Sequence, residues 1–132
     1  MRNKITRLIV FIIILVLATI TYKIAVAENI IYCTDYQEIK DFAQCEVEKH
    51  WDSTQWQYFD EIIRRESNWD YKADNPHSSA YGLPQALTSL HKLPDDYKTN
   101  PQTQVLWAIE YISDTYGNPQ KSLEHHNAKN WY

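Results

Sequence analysis

Glycine is almost missing from this chain: Gly82 and Gly117 are the only two in 132 residues. What recurs instead is apolar residues at intervals of three and four, the period of an amphipathic helix. Prolines at Pro76, Pro84, Pro94, Pro101 and Pro119 punctuate the later part. The pattern reads as helices joined by short loops, with no repeat, low-complexity tract or linker. Ile39, Phe42 and Ala43 mark a first helix over residues 35–49. Ser53 is a suitable N-cap for a second helix to Ser67, carrying Trp56, Phe59, Ile62 and Ile63 on one stripe. Residues 83–90 are expected to form one short helix. Asn100-Pro101 starts the clearest helix, with Val105, Ala108, Ile109, Ile112 and Tyr116 on one side and Gly117 as its terminator. Asn118-Pro119 repeats the start signal for a last helix to about His126. Nothing alternates as a strand, so the fold class is mainly α.

The first 27 residues read as an export signal rather than as part of this fold. Arg2, Lys4 and Arg7 precede a run of 13 apolar or small residues, 8–20, and Ala25-Val26-Ala27 supplies small residues before Glu28. The alternative is an uncleaved anchor, for which the run is short, since a span needs about 20 apolar residues. Contact with a membrane is expected only in that case. Cleavage before Glu28 leaves 105 residues, the size of one small domain. It removes four basic residues and no acidic one, so the formal charge falls from −4 to −8. Such a chain lacks the basic footprint of a nucleic-acid binder. Export places it in a periplasm, a cell wall or the exterior. There Cys33 and Cys45 are expected to form a disulfide, closing a loop that contributes about 3 kcal/mol. Two cysteines without suitably spaced partners do not suggest zinc.

Glu66 follows Ile62 and Ile63 by four and three positions, so it falls on or beside the apolar face of its helix. A carboxyl turned inward loses hydration, and its pKa rises. Glycoside cleavage needs such a protonated acid. Trp69 could line the same cleft and stack on a sugar. Arg64 and Arg65 are available to pair with Glu66 if it is instead an ordinary surface residue. The segment Ser78-Ser79-Ala80-Tyr81-Gly82 combines small residues with one of the two glycines, which lets backbone approach a ligand. Gln85 offers a donor and acceptors suited to a sugar amide or hydroxyl.

Glu66-Ser67, then Ala80-Tyr81-Gly82-Leu83-Pro84-Gln85-Ala86, then Asn100-Pro101 to Tyr111-Ile112, resemble the lytic transglycosylase family of lysozyme-like enzymes. The likeness is closest to the small C-terminal transglycosylase-like domains of secreted bacterial wall proteins. The run from Asn100 to Trp107, Tyr116-Gly117 and the closing Asn130-Trp131-Tyr132 extend it. It covers roughly residues 56–132, giving a lysozyme-like domain over 53–132 and an N-terminal extension over 28–52. The resemblance implies a helical domain with a glycan-binding cleft, Glu66 as the single catalytic acid/base, and Ser67 helping to orient it. It implies glycan contacts from Tyr81, Gly82 and Gln85, with Tyr111 near the site. Pro84 stands where the family usually has Met. His125-His126-Asn127-Ala128-Lys129 stands where an Ala-Tyr-Asn-Ala-Gly run is usual. His125 and His126 are therefore expected to contact glycan rather than metal, because adjacent side chains on a helix diverge.

A glycosidase with two carboxylates needs a second acid about 5–9 Å from the first. Asp70 and Asp74 are the nearest, both in a turn expected to face solvent. One acid and no cofactor imply attack by the substrate itself. Glu66 would protonate the leaving oxygen of a MurNAc–GlcNAc bond, then accept the proton of the MurNAc 6-hydroxyl, giving a 1,6-anhydro product. The rival readings are a hydrolytic lysozyme using Asp70 or Asp74, a glycan-binding domain without activity, and an assembly protein of the envelope. The expected partner is the glycan strand of peptidoglycan, in wall remodelling or beside a secretion or conjugation machine.

Overall fold

The computed structural model describes residues 6, 9–20, 33 and 38–129, in two compact units, Met1–Asp35 and Tyr36–Tyr132. In the first unit residues 9–20 are helical with exposed apolar side chains. Among the described residues no helix is long and apolar enough to cross a membrane. The expected cleavage point at Ala25-Val26-Ala27, and the closing Asn130-Trp131-Tyr132, lie outside the described residues. Cys33 and Cys45 form the expected disulfide.

The second unit is mainly helical. Its helices are α1 (Ile39–His50), α2 (Gln55–Ser67), α3 (Pro101–Tyr116) and α4 (Pro119–Lys129), and a short ribbon of β1 (Ala80–Tyr81) and β2 (Ala86–Leu87) lies between α2 and α3 in sequence. Helix α1 packs on α2 and α3, and α4 packs on the same two. Phe42, Ala43 and Val47 of α1 meet Phe59, Ile62 and Ile63 of α2 and Val105, Ala108, Ile109 and Ile112 of α3, with Leu83 from the ribbon's turn. Full burial of an Ile or Phe side chain contributes about 1.5–3 kcal/mol. These stripes are the ones the three- and four-residue spacing selects. Helix α1 therefore shares the core of the unit, although it precedes the segment that carries the family likeness.

The helix ends follow their local chemistry. The Asn100 side chain accepts from Gln102 N–H at 3.0 Å, Pro101 occupies the first turn, and Gly117 closes α3 at φ 87°. Asn118 accepts from Lys121 N–H at 2.9 Å and opens α4. The start of α2 differs from expectation. Thr54, not Ser53, precedes its first residue, and the Asp52 carboxylate accepts from both the N–H and the hydroxyl of Thr54. A carboxylate two residues upstream closes this turn, so no hydroxyl cap is used.

Residues 83–90 form no helix. Ala80 pairs with Leu87 and Tyr81 with Ala86, antiparallel, and Asp74 bridges to Tyr81. The reason is the turn: Gly82 at φ 81° and Gln85 at φ 50° reverse the chain, and Gln85 N–H donates to Gly82 C=O at 3.1 Å. A right-handed helix accommodates neither angle.

One buried amide joins these loops to α3. Gln104 is fully buried. Its Oε1 accepts from Leu83 N–H at 2.8 Å, and its Nε2 donates to the carbonyls of Tyr71 at 3.0 Å and Tyr97 at 2.8 Å. Gly82 lies against the same amide, and a Cβ there would sit 2.5 Å from Gln104 Oε1. Each buried backbone group left without a partner costs about 1–3 kcal/mol. Gln104→Ala strands three of them and is expected to lower stability by about 3 kcal/mol or more in urea unfolding. Gly82→Ala adds a positive-φ side chain and a clash, and is expected to lower the urea midpoint as well. A Gln104→Ala midpoint equal to the parent's would remove this amide from its assigned role.

Candidate active site around Glu66

Glu66 is the penultimate residue of α2. Its side chain is 19% exposed and is met by His126 of α4, whose side chain is 14% exposed, with Nε2 at 3.0 Å from Glu66 Oε1. Burial pushes the Glu66 pKa up, while the charge and hydrogen bond of His126 pull it back; the net direction is upward. The carboxyl-terminal end of a helix also disfavours negative charge, so the dipole of α2 acts in the same sense as burial.

Arg64 and Arg65 do not neutralise Glu66. Both bind Glu61, Arg64 through Nε at 2.9 Å and through a second nitrogen at 2.8 Å, Arg65 through Nε at 2.6 Å. Their hydrogen bonds hold the Glu61 carboxyl below its usual range. Arg65 also donates to Asn127 Oδ1 at 2.7 Å, which ties α2 to α4 one residue from His126. Asp70 and Asp74 are both exposed, and Asp70 accepts from Lys72 N–H at 2.9 Å in its own turn.

The other expected residues divide into groups. Ser67 Oγ donates back to Ile63 C=O at 3.3 Å, capping its own helix. Trp69 has its Nε1–H on Asp60 Oδ1 at 2.8 Å, its ring 5.9 Å from Trp56, and Lys40 Nζ 5.2 Å above it. Those partners belong to α1 and the first half of α2 rather than to the Glu66–His126 pair. Tyr81 packs its ring under Lys98 Nζ at 5.1 Å and gives its carbonyl to the Tyr97 hydroxyl at 3.1 Å. Gln85 spends its Nε2 on Ala73 C=O at 3.1 Å and Gly82 C=O at 3.0 Å, which leaves Oε1 as its remaining acceptor.

Tyr111 stands in a row of rings along α3. It stacks on Trp107 with centroids 5.1 Å apart and planes within 9°. It meets His91 at 5.5 Å and Tyr116 at 6.2 Å edge-on, and Tyr116 meets His125 at 5.2 Å. Burial, with help from Tyr111, pushes the Tyr116 hydroxyl up to about 12. His125 and His126 thus diverge, one toward α3 and one toward Glu66. A groove of about 470 Å³ runs beside this row, with His91, Lys92, Trp107, Glu110, Tyr111 and Asp114 on its walls. Glu66 is not among its lining residues. Among the described residues no group of three His, Cys, Asp or Glu side chains could hold a metal ion.

The residues that spacing alone missed are Gln104, His91 and the Asp60 partner of Trp69. Gln104 had a signal: it is a polar residue next to Val105 and four before Ala108, on an otherwise apolar face. Comparison of the chain with protein-family models, with curated proteins and with solved structures finds no match.

Gln85→Glu keeps the shape of the side chain but turns a carboxylate oxygen toward two carbonyls. It is expected to lower stability by about 2 kcal/mol in urea unfolding. An unchanged midpoint would mean that the Gln85 side chain does not hold the turn.

Proposed function

We propose that this chain is an exported peptidoglycan lytic transglycosylase in which Glu66 is the sole acid and base. One observation carries the reading. The carboxyl of Glu66 is half-buried at a helix end with its pKa raised, while Asp70 and Asp74 are exposed. An acid of that kind holds its proton to higher pH than an ordinary glutamate. The motif resemblance around Gly82 and Gln85, and over the Asn100–Tyr111 stretch, supports the substrate class.

In this reading Glu66 gives its proton to the leaving oxygen of the MurNAc–GlcNAc bond. The MurNAc 6-hydroxyl then attacks the anomeric carbon as its proton passes to Glu66. The bond to the leaving sugar breaks, a bond within MurNAc forms, and the acid is regenerated without water. The glycan cleft would have Glu66 at its reacting point, with Tyr81, Gly82 and the side-chain Oε1 of Gln85 as further sugar contacts. Tyr111 and His125 would contribute ring faces for sugar contacts. The sugar strands of the wall are the partner, in remodelling or beside an envelope machine.

Glu66→Gln keeps the side chain's size and removes its titratable proton. It is expected to reduce clearing of purified wall by about 10²–10⁴-fold. Mass spectrometry of the products should show 1,6-anhydro ends. Reducing ends would replace this mechanism with hydrolysis, and wall binding without clearing would make the chain a binding domain. Activity requires protonated Glu66, so it is lost as pH rises through the folded-state pKa. Because that pKa is raised, the falling limb should lie above the range of an ordinary glutamate.

A further inference from the structure

We propose that His126 is the positioning residue of this acid: its Nε2–H holds Oε1 of Glu66, so that Oε2 alone takes and returns the proton. The assignment rests on the function proposed above and on the 3.0 Å contact between the two side chains, 60 positions apart in sequence. An ionised carboxylate can only accept hydrogen bonds. With Glu66 in its basic form, the hydrogen of this contact must therefore sit on Nε2, where it stabilises charge on Oε1. That leaves Oε2 the more basic oxygen, and it carries the proton in the acid form. The proton on Oε2 goes to the leaving oxygen. The carboxylate keeps the His126 N–H bond while it is charged, and Oε2 then recovers a proton from the attacking hydroxyl. No proton is gained or lost over the cycle.

The surroundings single out His126. On α2, Arg64 and Arg65 both donate to Glu61, and Arg65 reaches Asn127. On α4, His125 lies against Tyr116, and Tyr116 of α3 lies edge-on to Tyr111. Among the described residues, His126 is the charged and hydrogen-bonding group that acts on the Glu66 carboxyl. A sequence with tyrosine at this place could supply a hydroxyl but no ring nitrogen. The histidine adds a donor that can also carry charge.

The test follows the Glu66 carboxyl by carbon NMR across a pH titration in the parent protein, His126→Gln and His126→Phe. Glutamine keeps an N–H donor without the charge, and phenylalanine removes both. The Glu66 midpoint is expected to move to higher pH in both variants, further in His126→Phe. In wall clearing, His126→Gln should keep most of the rate, whereas His126→Phe should lose about ten-fold or more. In each variant the falling limb of the pH profile should move up with the NMR midpoint. Circular dichroism establishes folding, and if His126→Phe is unfolded the glutamine variant's shifted midpoint and limb carry the test. An unshifted Glu66 titration in a folded variant overturns the assignment, as does equal loss of rate in the two. Neither NMR outcome depends on activity. Persistence of clearing in Glu66→Gln overturns the proposed reaction instead.

Discussion

The amide of Gln104 is the constraint on which the shape of the small unit depends. Loops with few apolar contacts cannot hold their own backbone groups in place, and buried N–H and C=O groups need partners. Here one side chain on α3 serves Leu83 of the ribbon turn, Tyr71 of the loop after α2, and Tyr97 of the loop before α3. Three segments far apart in sequence are thereby fixed to one rigid helix. Gly82 is required for the same reason, since only a residue without Cβ fits against that amide at φ 81°. The scarcity of glycine gains a meaning from this: one of the two ends a helix, and the other makes room for the clamp.

The place where α2 stops matters as much. Asn68 and Trp69 both adopt positive φ, 51° and 64°, directly after Glu66 and Ser67. Non-glycine residues held there cost of order ~1–3 kcal/mol each and persist only where the surroundings over-determine them. For Trp69 the surroundings are visible: Asp60 holds its indole N–H, and Trp56 and Lys40 flank the ring. An early stop leaves Glu66 in the last turn, at the negative end of the helix dipole. That dipole and the burial of the side chain act together to favour the protonated acid.

Much of this was legible from spacing. Four helices and their buried stripes follow from apolar residues at three- and four-residue intervals, and Asn100, Pro101 and Gly117 mark the bounds of α3 by chemistry that is local. The ribbon was not legible. Leu83, Ala86, Leu87 and Leu90 share a helical spacing, but Gln85 adopts positive φ and donates to Ala73 and Gly82, a demand set by residues a dozen positions away. Glu66 could be placed near the apolar face of its helix, because Ile62 and Ile63 set that face. Its partner could not be chosen. The period of α4 separates His125 from His126 but does not say which neighbour each will meet, because that depends on how α4 packs on α2 and α3.

That packing is set by contacts the histidines do not themselves make, and it is what assigns them. Successive residues on a helix point about 100° apart, so a helix lying against two others can give one residue to each. Gln120 N–H on Gln55 Oε1 at 3.0 Å fixes the start of α4 against α2, and Asn127 on Arg65 fixes its far end. Ser122, fully buried, lies on the side turned to the interior. With both ends held to α2, His126 faces Glu66 and His125 faces Tyr116 of α3. A rotation of α4 by one residue, about 100°, would turn His126 away from Glu66 and break the contact. The state of Glu66 is thus governed by the rotational setting of α4, and that setting rests on the side-chain amides of Gln55 and Asn127.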